Sequence, residues 1–135
     1  MAAVRVSLSL NSPAVLSTPL SLTVNSTLVV DSGSLIRAKV KGTEADTNDL
    51  AIYIADQCSE RAYLYIKNLE TELENYIYIH NDTDTGLVAK IGGNEFAFIP
   101  VSPDKKYEVY ATKVDTMIEY GVFGNDNSSN PYGGS

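Results

Sequence analysis

Apolar and polar residues alternate with period two along most of this chain, and the alternation predicts strands. Val4, Val6, Leu8 and Leu10 alternate with Arg5, Ser7 and Ser9, and Asn11-Ser12-Pro13 breaks the run. Leu20, Leu22 and Val24 resume it, and Asn25-Ser26 predicts a turn into Leu28-Val29-Val30. Beyond the turn Asp31-Ser32-Gly33-Ser34, Ile36, Ala38 and Val40 are expected to face inward, leaving Arg37, Lys39 and Lys41 in water. The polar, acidic stretch from Gly42 to Asp49 reads as an exposed loop.

Leu50 to Ala55 carries two periodicities. Ile52 and Ile54 alternate as in a strand, while Leu50, Tyr53, Ile54 and Cys58 fit one helical face. The β-branched and aromatic content favours the strand. Ala62 to Lys67 and Tyr76 to His80 are strand patterns, joined by the acidic connector Asn68 to Asn75 with Glu70, Glu72 and Glu74.

The run Leu87 to Pro100 supplies the expected core. Leu87, Ala89 and Ile91 precede Gly92-Gly93, and Glu95-Phe96-Ala97-Phe98-Ile99 follows. Two apolar runs about a glycine pair predict a β-hairpin, because glycine reaches positive φ without steric cost. Phe96 and Phe98 are then the expected core anchors beside Leu64, Ile66, Ile77 and Ile79, and Pro100 is expected to close the strand. Ser102-Pro103-Asp104-Lys105 predicts a tight turn, and Tyr107, Val109 and Ala111 open a strand. Met117 to Phe123 closes the fold, and the segment 124–135, GNDNSSNPYGGS, reads as a flexible tail.

Nine or ten short strands without a clear helix predict an all-β fold, an antiparallel β-sandwich or small barrel. A jelly-roll-like topology is preferred, with an Ig-like sandwich as the alternative. Residues 1–20, with Pro13, Pro19 and serine-rich spacing, read as an extended N-terminal arm or first strand that makes contacts beyond its own domain. Residues 21–123 read as the sandwich.

Charge narrows the function. The 135 residues hold 17 acidic and 10 basic side chains, a net charge of −7. Nucleic acid is therefore not an expected partner, since phosphate binding needs clustered Lys and Arg. No apolar run approaches the roughly 20 residues of a membrane span, so no membrane partner is expected either. The N-terminus lacks the apolar core of a signal peptide. The single cysteine, Cys58, excludes an internal disulfide and is expected in a polar turn, Asp56 to Glu60, whose acids disfavour a reactive thiolate. With one His and no phosphate loop or spaced ligand cluster, the chain is not expected to be an enzyme or to hold a cofactor or metal. Asn81-Asp82-Thr83-Asp84-Thr85-Gly86 has carboxylates two apart, as in a calcium loop, but lacks the further ligands and reads as a β-turn. The glycosylation patterns at Asn25, Asn81 and Asn127 likewise read as turns.

The tyrosines are the candidate binding residues. Tyr63 and Tyr65 lie opposite the aliphatic face of their strand, as do Tyr76, Tyr78 and His80 on theirs. If the two strands pair, these five side chains form one surface belt. Such a belt is either a stabilising cross-strand ladder or a protein interface, where tyrosine is enriched.

The order of motifs resembles a group of small virion proteins of tailed bacteriophages with the pattern AYxYIKN … GEFAFxP … EYxxF. The matching segments are Ala62-Tyr63-Leu64-Tyr65-Ile66-Lys67-Asn68, Gly93 to Pro100, the Tyr-x-Val-x-Ala strand Tyr107 to Ala111, and Ile118 to Phe123, about half the chain. Those proteins often have Pro-Gly where this chain has Gly92-Gly93-Asn94. The resemblance implies a β-sandwich structural protein of the particle, most simply a capsid decoration (cement) protein. It would bind the major capsid protein on the virion surface after assembly in the host cytoplasm. A neck, tail or fibre component is the first alternative, and a carbohydrate-binding module the second. The resemblance also implies a homotrimer, which burial of the tyrosine belt between protomers would explain.

Overall fold

The computed structural model describes residues 2–42, 50–81 and 86–126. Among these are eleven strands and no helix, and they fall into two units, residues 1–30 and 31–135.

The first unit is one long hairpin. β1 (Ala2–Ser12) pairs antiparallel with β2 (Leu20–Val30), residue for residue from Ala2 opposite Val30 to Ser12 opposite Leu20. Pairing at even offset puts Val4, Val6, Leu8 and Leu10 on the face that carries Leu22, Val24 and Leu28. Arg5, Ser7, Ser9 and Asn11 take the other face with Ser21, Thr23, Asn25 and Thr27. Ser12 Oγ accepts hydrogen bonds from the Ala14 and Val15 N–H groups at 3.3 and 3.2 Å, which starts the connecting loop beside Pro13. The turn expected at Asn25-Ser26 does not form. Eleven consecutive pairings with β1 hold both residues extended, opposite Ser7 and Val6. The boundary between units therefore follows Val30 instead of the expected Leu20.

The second unit is an antiparallel jelly roll. β3 (Ser32–Gly33) and β4 (Ile36–Val40) precede β5 (Leu50–Tyr53), β6 (Cys58–Asn68), β7 (Ile77–Asn81) and β8 (Leu87–Ile91). β9 (Phe96–Val101), β10 (Tyr107–Ala111) and β11 (Thr116–Asp126) complete it. The pairs β4·β11, β5·β10, β6·β9 and β7·β8 nest inside one another, as in a single long ribbon folded over on itself. Cross pairs β11·β6 and β10·β7 then make two four-stranded orders, β4-β11-β6-β9 and β5-β10-β7-β8, with β3 added beside β11. Nested pairing in two sheets is jelly-roll connectivity, which excludes the Ig-like alternative. The strand at Leu50 forms as the β-branched content predicts.

The core lies between the two sheets. Leu64, Ile66, Ile77 and Ile79 are fully buried as expected, together with Val40, Tyr53, Val109 and Ile118, and Ile52 is buried beside them. The phenylalanine anchors fail. Phe96 is 62 % exposed and Phe98 is only half-buried, on the outer face. β9 lies in register with Ala97 opposite Ile66, Ile99 opposite Leu64 and Val101 opposite Ala62, so the smaller residues face the core. A one-residue difference in register turns every side chain over.

The expected Leu87 hairpin is also absent. β8 pairs with β7 and β9 with β6, so Gly92-Gly93 carries the chain from one sheet to the other. The positive φ falls on Asn94, at 68°, and both glycines serve close packing. A Cβ on Gly93 would sit 2.2 Å from the Glu72 carbonyl oxygen. Asn68, fully buried, ties this crossing to the 69–76 connector. Its Nδ2 donates to the Asn75 and Ile91 carbonyls at 2.7 and 3.1 Å, and its Oδ1 accepts from Glu70 N–H at 3.0 Å. Its backbone N–H donates to the Glu95 carbonyl, and its carbonyl accepts from Asn94 N–H.

Three further expectations change. Pro100 does not end its strand. β9 is an edge strand running on to Val101, where proline's missing N–H costs no ladder bond on the open side. Cys58 is not a turn residue but opens β6, buried in the core. β11 runs through Gly124 to Asp126, paired with Ala62 and Cys58, so the fold continues past the expected start of the tail. The Gly42–Asp49 loop from residue 43, the acidic centre of the Asn81–Gly86 turn and the 127–135 tail lie outside the described residues.

Candidate functional site

The jelly roll separates the five candidate binding residues. β6 and β7 belong to different sheets, so Tyr63 and Tyr65 lie on one outer face and Tyr78 and His80 on the other. Tyr76 sits just before β7, beside Tyr78. A single belt of four tyrosines therefore does not exist, because the core lies between its two halves. This removes the belt as a one-piece self-interface.

The β4-β11-β6-β9 sheet carries the first aromatic face. Phe123, Tyr63 and Pro100 align across β11, β6 and β9, and Gly121, Tyr65 and Phe98 form the next row. Tyr63 and Phe98 stack with centroids 6.0 Å apart and planes within 5°. The Phe123 ring fills space that side chains at Gly33 and Gly121 would occupy, since a Cβ on Gly33 would lie 2.6 Å from it. Polar groups flank the rings. Glu119 accepts from the Tyr65 hydroxyl at 3.1 Å and from Arg37 Nε at 3.3 Å. Burial, and then the hydrogen bond to that carboxylate, raise the Tyr65 pKa above the ordinary tyrosine value, so its hydroxyl stays a donor. The face thus combines flat apolar area with a fixed charged edge.

The β5-β10-β7-β8 sheet carries the second. Tyr110 faces Tyr78 in register and stacks on it at 5.0 Å, while His80 meets the Tyr110 ring edge-on at 5.5 Å. Tyr76 lies 6.4 Å from Tyr78, with Lys90 Nζ 4.1 Å above its ring. This is a cation–π contact that covers one tyrosine face. His80 Nδ1 lies 2.8 Å from the Asn81 carbonyl and its Nε2 3.9 Å from Glu108 Oε1. Lys106 holds the other Glu108 oxygen at 3.0 Å. These rings are engaged with one another and with neighbouring charges, the arrangement of a cross-strand ladder.

Sequence reasoning missed Phe98, Phe123 and Tyr110 as members of these faces. Tyr110 was readable by alternation, opposite inward Tyr107 and Val109. Its placement beside Tyr78 required the β7·β10 pairing, which joins residues far apart in the chain. Among the described residues, no group of three His, Cys, Asp or Glu side chains is placed to hold a metal ion.

No protein-family model and no curated protein matches the chain. Among solved structures, the chain is similar to a cupin protein from Bacteroides fragilis at 11 % identity and a TM-score of 0.39. The alignment covers 70 % of this chain and 65 % of that one, so the chain spans less than two thirds of its length.

Proposed function

We propose that this chain is a non-enzymatic structural protein of a tailed-phage particle, a decoration protein that binds and stabilises the capsid shell. The observation that carries the reading is the convergence of three of the four resembling segments, the fourth, Tyr107–Ala111, being β10 of the opposite sheet. Ala62–Asn68, Gly93–Pro100 and Ile118–Phe123 are distant in sequence, yet β6, β9 and β11 lie side by side in one sheet. Their alternate residues Tyr63, Tyr65, Phe98 and Phe123 make the first aromatic face, so the shared pattern describes one surface as well as one fold. Aromatic residues with a polar margin are the composition of a protein interface. On a shell, many weak copies of such a contact gain from multivalency.

The test is co-sedimentation with purified particles lacking the protein. The wild type should pellet with shells, and Tyr63→Ser/Phe98→Ser should lose most of that binding while Tyr78→Ser/Tyr110→Ser retains it. Equal pelleting of all three would overturn the reading, as would binding to tails and not shells. A glycan array examines the carbohydrate-binding alternative. Specific glycan binding abolished by Tyr78→Ser would favour it.

A further inference from the structure

Of the described strands at the edges of the two jelly-roll sheets, β9 is the one left unguarded. β3 and β5 are only two and four residues long, β4 carries Arg37 and Lys39, and β8 carries Lys90. Shortness and charge both discourage a further strand. β9 has six residues and no charged side chain. Its pairing with β6 tells which backbone groups stay free. The Asn68 N–H donates to the Glu95 carbonyl, so in the antiparallel ladder Glu95, Ala97, Ile99 and Val101 turn their backbone groups toward β6. Phe96, Phe98 and Pro100 turn theirs outward, a row of two N–H and three C=O groups along the open side. Beside that row stand the Phe96 and Phe98 rings on the outer face, Phe96 being 62 % exposed.

These features select an occupant. Donors and acceptors in a row at strand spacing are complemented by an extended backbone. Charge specifies the rest. The Gly92-Gly93 crossing that leads into β9 packs against the connector before β7, where Gly93 N–H donates to the Leu73 carbonyl at 3.2 Å. Glu72 and Glu74 of that connector are exposed, as is Glu95 next to Phe96. The free edge is therefore apolar along its length and acidic at its start. A second copy fits it poorly, because its own edge ends at Pro100 without an N–H and each copy carries a net charge of −7.

We infer that β9 accepts an extended strand of the partner protein, antiparallel to β9, apolar where it meets Phe96 and Phe98 and basic at its C-terminal end, where it reaches Glu72, Glu74 and Glu95. The inference rests on the proposed shell binding for the source of that strand, a subunit of the shell. It adds the mode of attachment, since Phe98 belongs both to the free edge and to the first aromatic face.

The first probe is a synthetic peptide of alternating Thr and Val ending in two lysines, added to the full chain. It should move the amide NMR signals of Phe96 and Phe98, and the same peptide ending in two glutamates should bind about tenfold more weakly. Co-sedimentation with shells is the second. Phe96→Pro removes one open-side N–H and no bond to β6, and should weaken shell binding about tenfold, whereas Phe96→Ala keeps that N–H and should lose less. Amide exchange of the bound wild type reads the edge without any substitution, and Phe96 and Phe98 should become protected on shells. A lysine peptide that leaves those two amides unmoved, or binds no better than the glutamate peptide, would overturn the inference. So would shell binding in which they still exchange freely, or equal losses from the two substitutions. A wild-type dimer abolished by Phe96→Pro would overturn it in favour of a second copy. Peptide binding without shell binding would sink the shell reading and leave the strand addition standing.

Discussion

Leu8 in β1 and Leu64 in β6 occupy equivalent positions in equally alternating strands, yet Leu8 is 43 % exposed and Leu64 is 1 % exposed. The difference lies in what the strand faces. β6 has neighbours on both sides and a second sheet across the core, so every inward residue meets partners. β1 has one neighbour and no facing layer of its own unit, and a two-stranded ribbon is at best marginal alone. Alternation states which face wants burial. It does not state whether the same chain supplies the cover.

The comparison predicts unequal costs for similar truncations. Ile79→Ala, in the fully buried core, should cost about 4 kcal/mol in urea unfolding followed by tyrosine fluorescence, from lost transfer energy and a residual cavity. Leu8→Ala should leave that transition unmoved within about 0.5 kcal/mol at dilution. Equal shifts would erase the distinction between the two units.

Asn68→Ala tests the crossing that only the jelly roll possesses. It leaves the buried Ile91 carbonyl and the Asn75 carbonyl without their donor and frees the Glu70 N–H, so about 2–3 kcal/mol should be lost. Asn68→Asp should not rescue it, since a carboxylate cannot donate. Full stability in either variant would mean that the amide network is incidental.

Tyr53 sharpens the comparison through pH. Its hydroxyl donates to the Pro103 carbonyl at 2.9 Å and accepts from Cys58 N–H at 3.2 Å, and burial pushes its pKa up to about 12 from 10.0. The folded state therefore prefers the neutral phenol. That contribution is complete below pH 10 and is lost as pH rises through 12. Tyr53→Phe should cost about 1–2 kcal/mol at neutral pH. The gap to wild type should close between pH 10 and 12 in thermal melts, and a gap that widens there would reverse the assigned sign.

The smallest effects belong to the outer faces. Phe98→Ala should cost about 1 kcal/mol, the stacking on Tyr63 plus partial burial, and Phe96→Ala less than about 0.5 kcal/mol. With Phe98 as a core anchor, the same truncation would cost about 3–5 kcal/mol. A loss of that size would restore the inverted register.

Much of the jelly roll was legible because alternation is a local property. Leu64, Ile66, Ile77 and Ile79 follow from period two alone, and the strand at Leu50 from its β-branched and aromatic content. β9 was misread because both of its faces are apolar, Phe96 and Phe98 on one and Ala97 and Ile99 on the other, and size suggested the wrong one. The Gly92-Gly93 crossing resembled a hairpin turn because glycine needed for close approach looks the same in sequence as glycine needed for positive φ. The tyrosine faces were divided by topology, since β6 and β7 are consecutive but lie in different sheets. The long hairpin was hidden by Asn25-Ser26, whose turn tendency yields to cross-strand pairing along eleven residues.

The central claim is that the jelly roll is stable by itself, whereas the hairpin, a two-stranded ribbon with no facing layer of its own unit, is marginal. Hydrogen–deuterium exchange of the full chain measures both units in one experiment. Amides of Ala3–Leu10 and Leu20–Val29 should exchange rapidly, while those of β6, β7, β10 and β11 stay protected. Hairpin amides as protected as those of β6, or jelly-roll amides that exchange as fast as the hairpin's, would contradict the account.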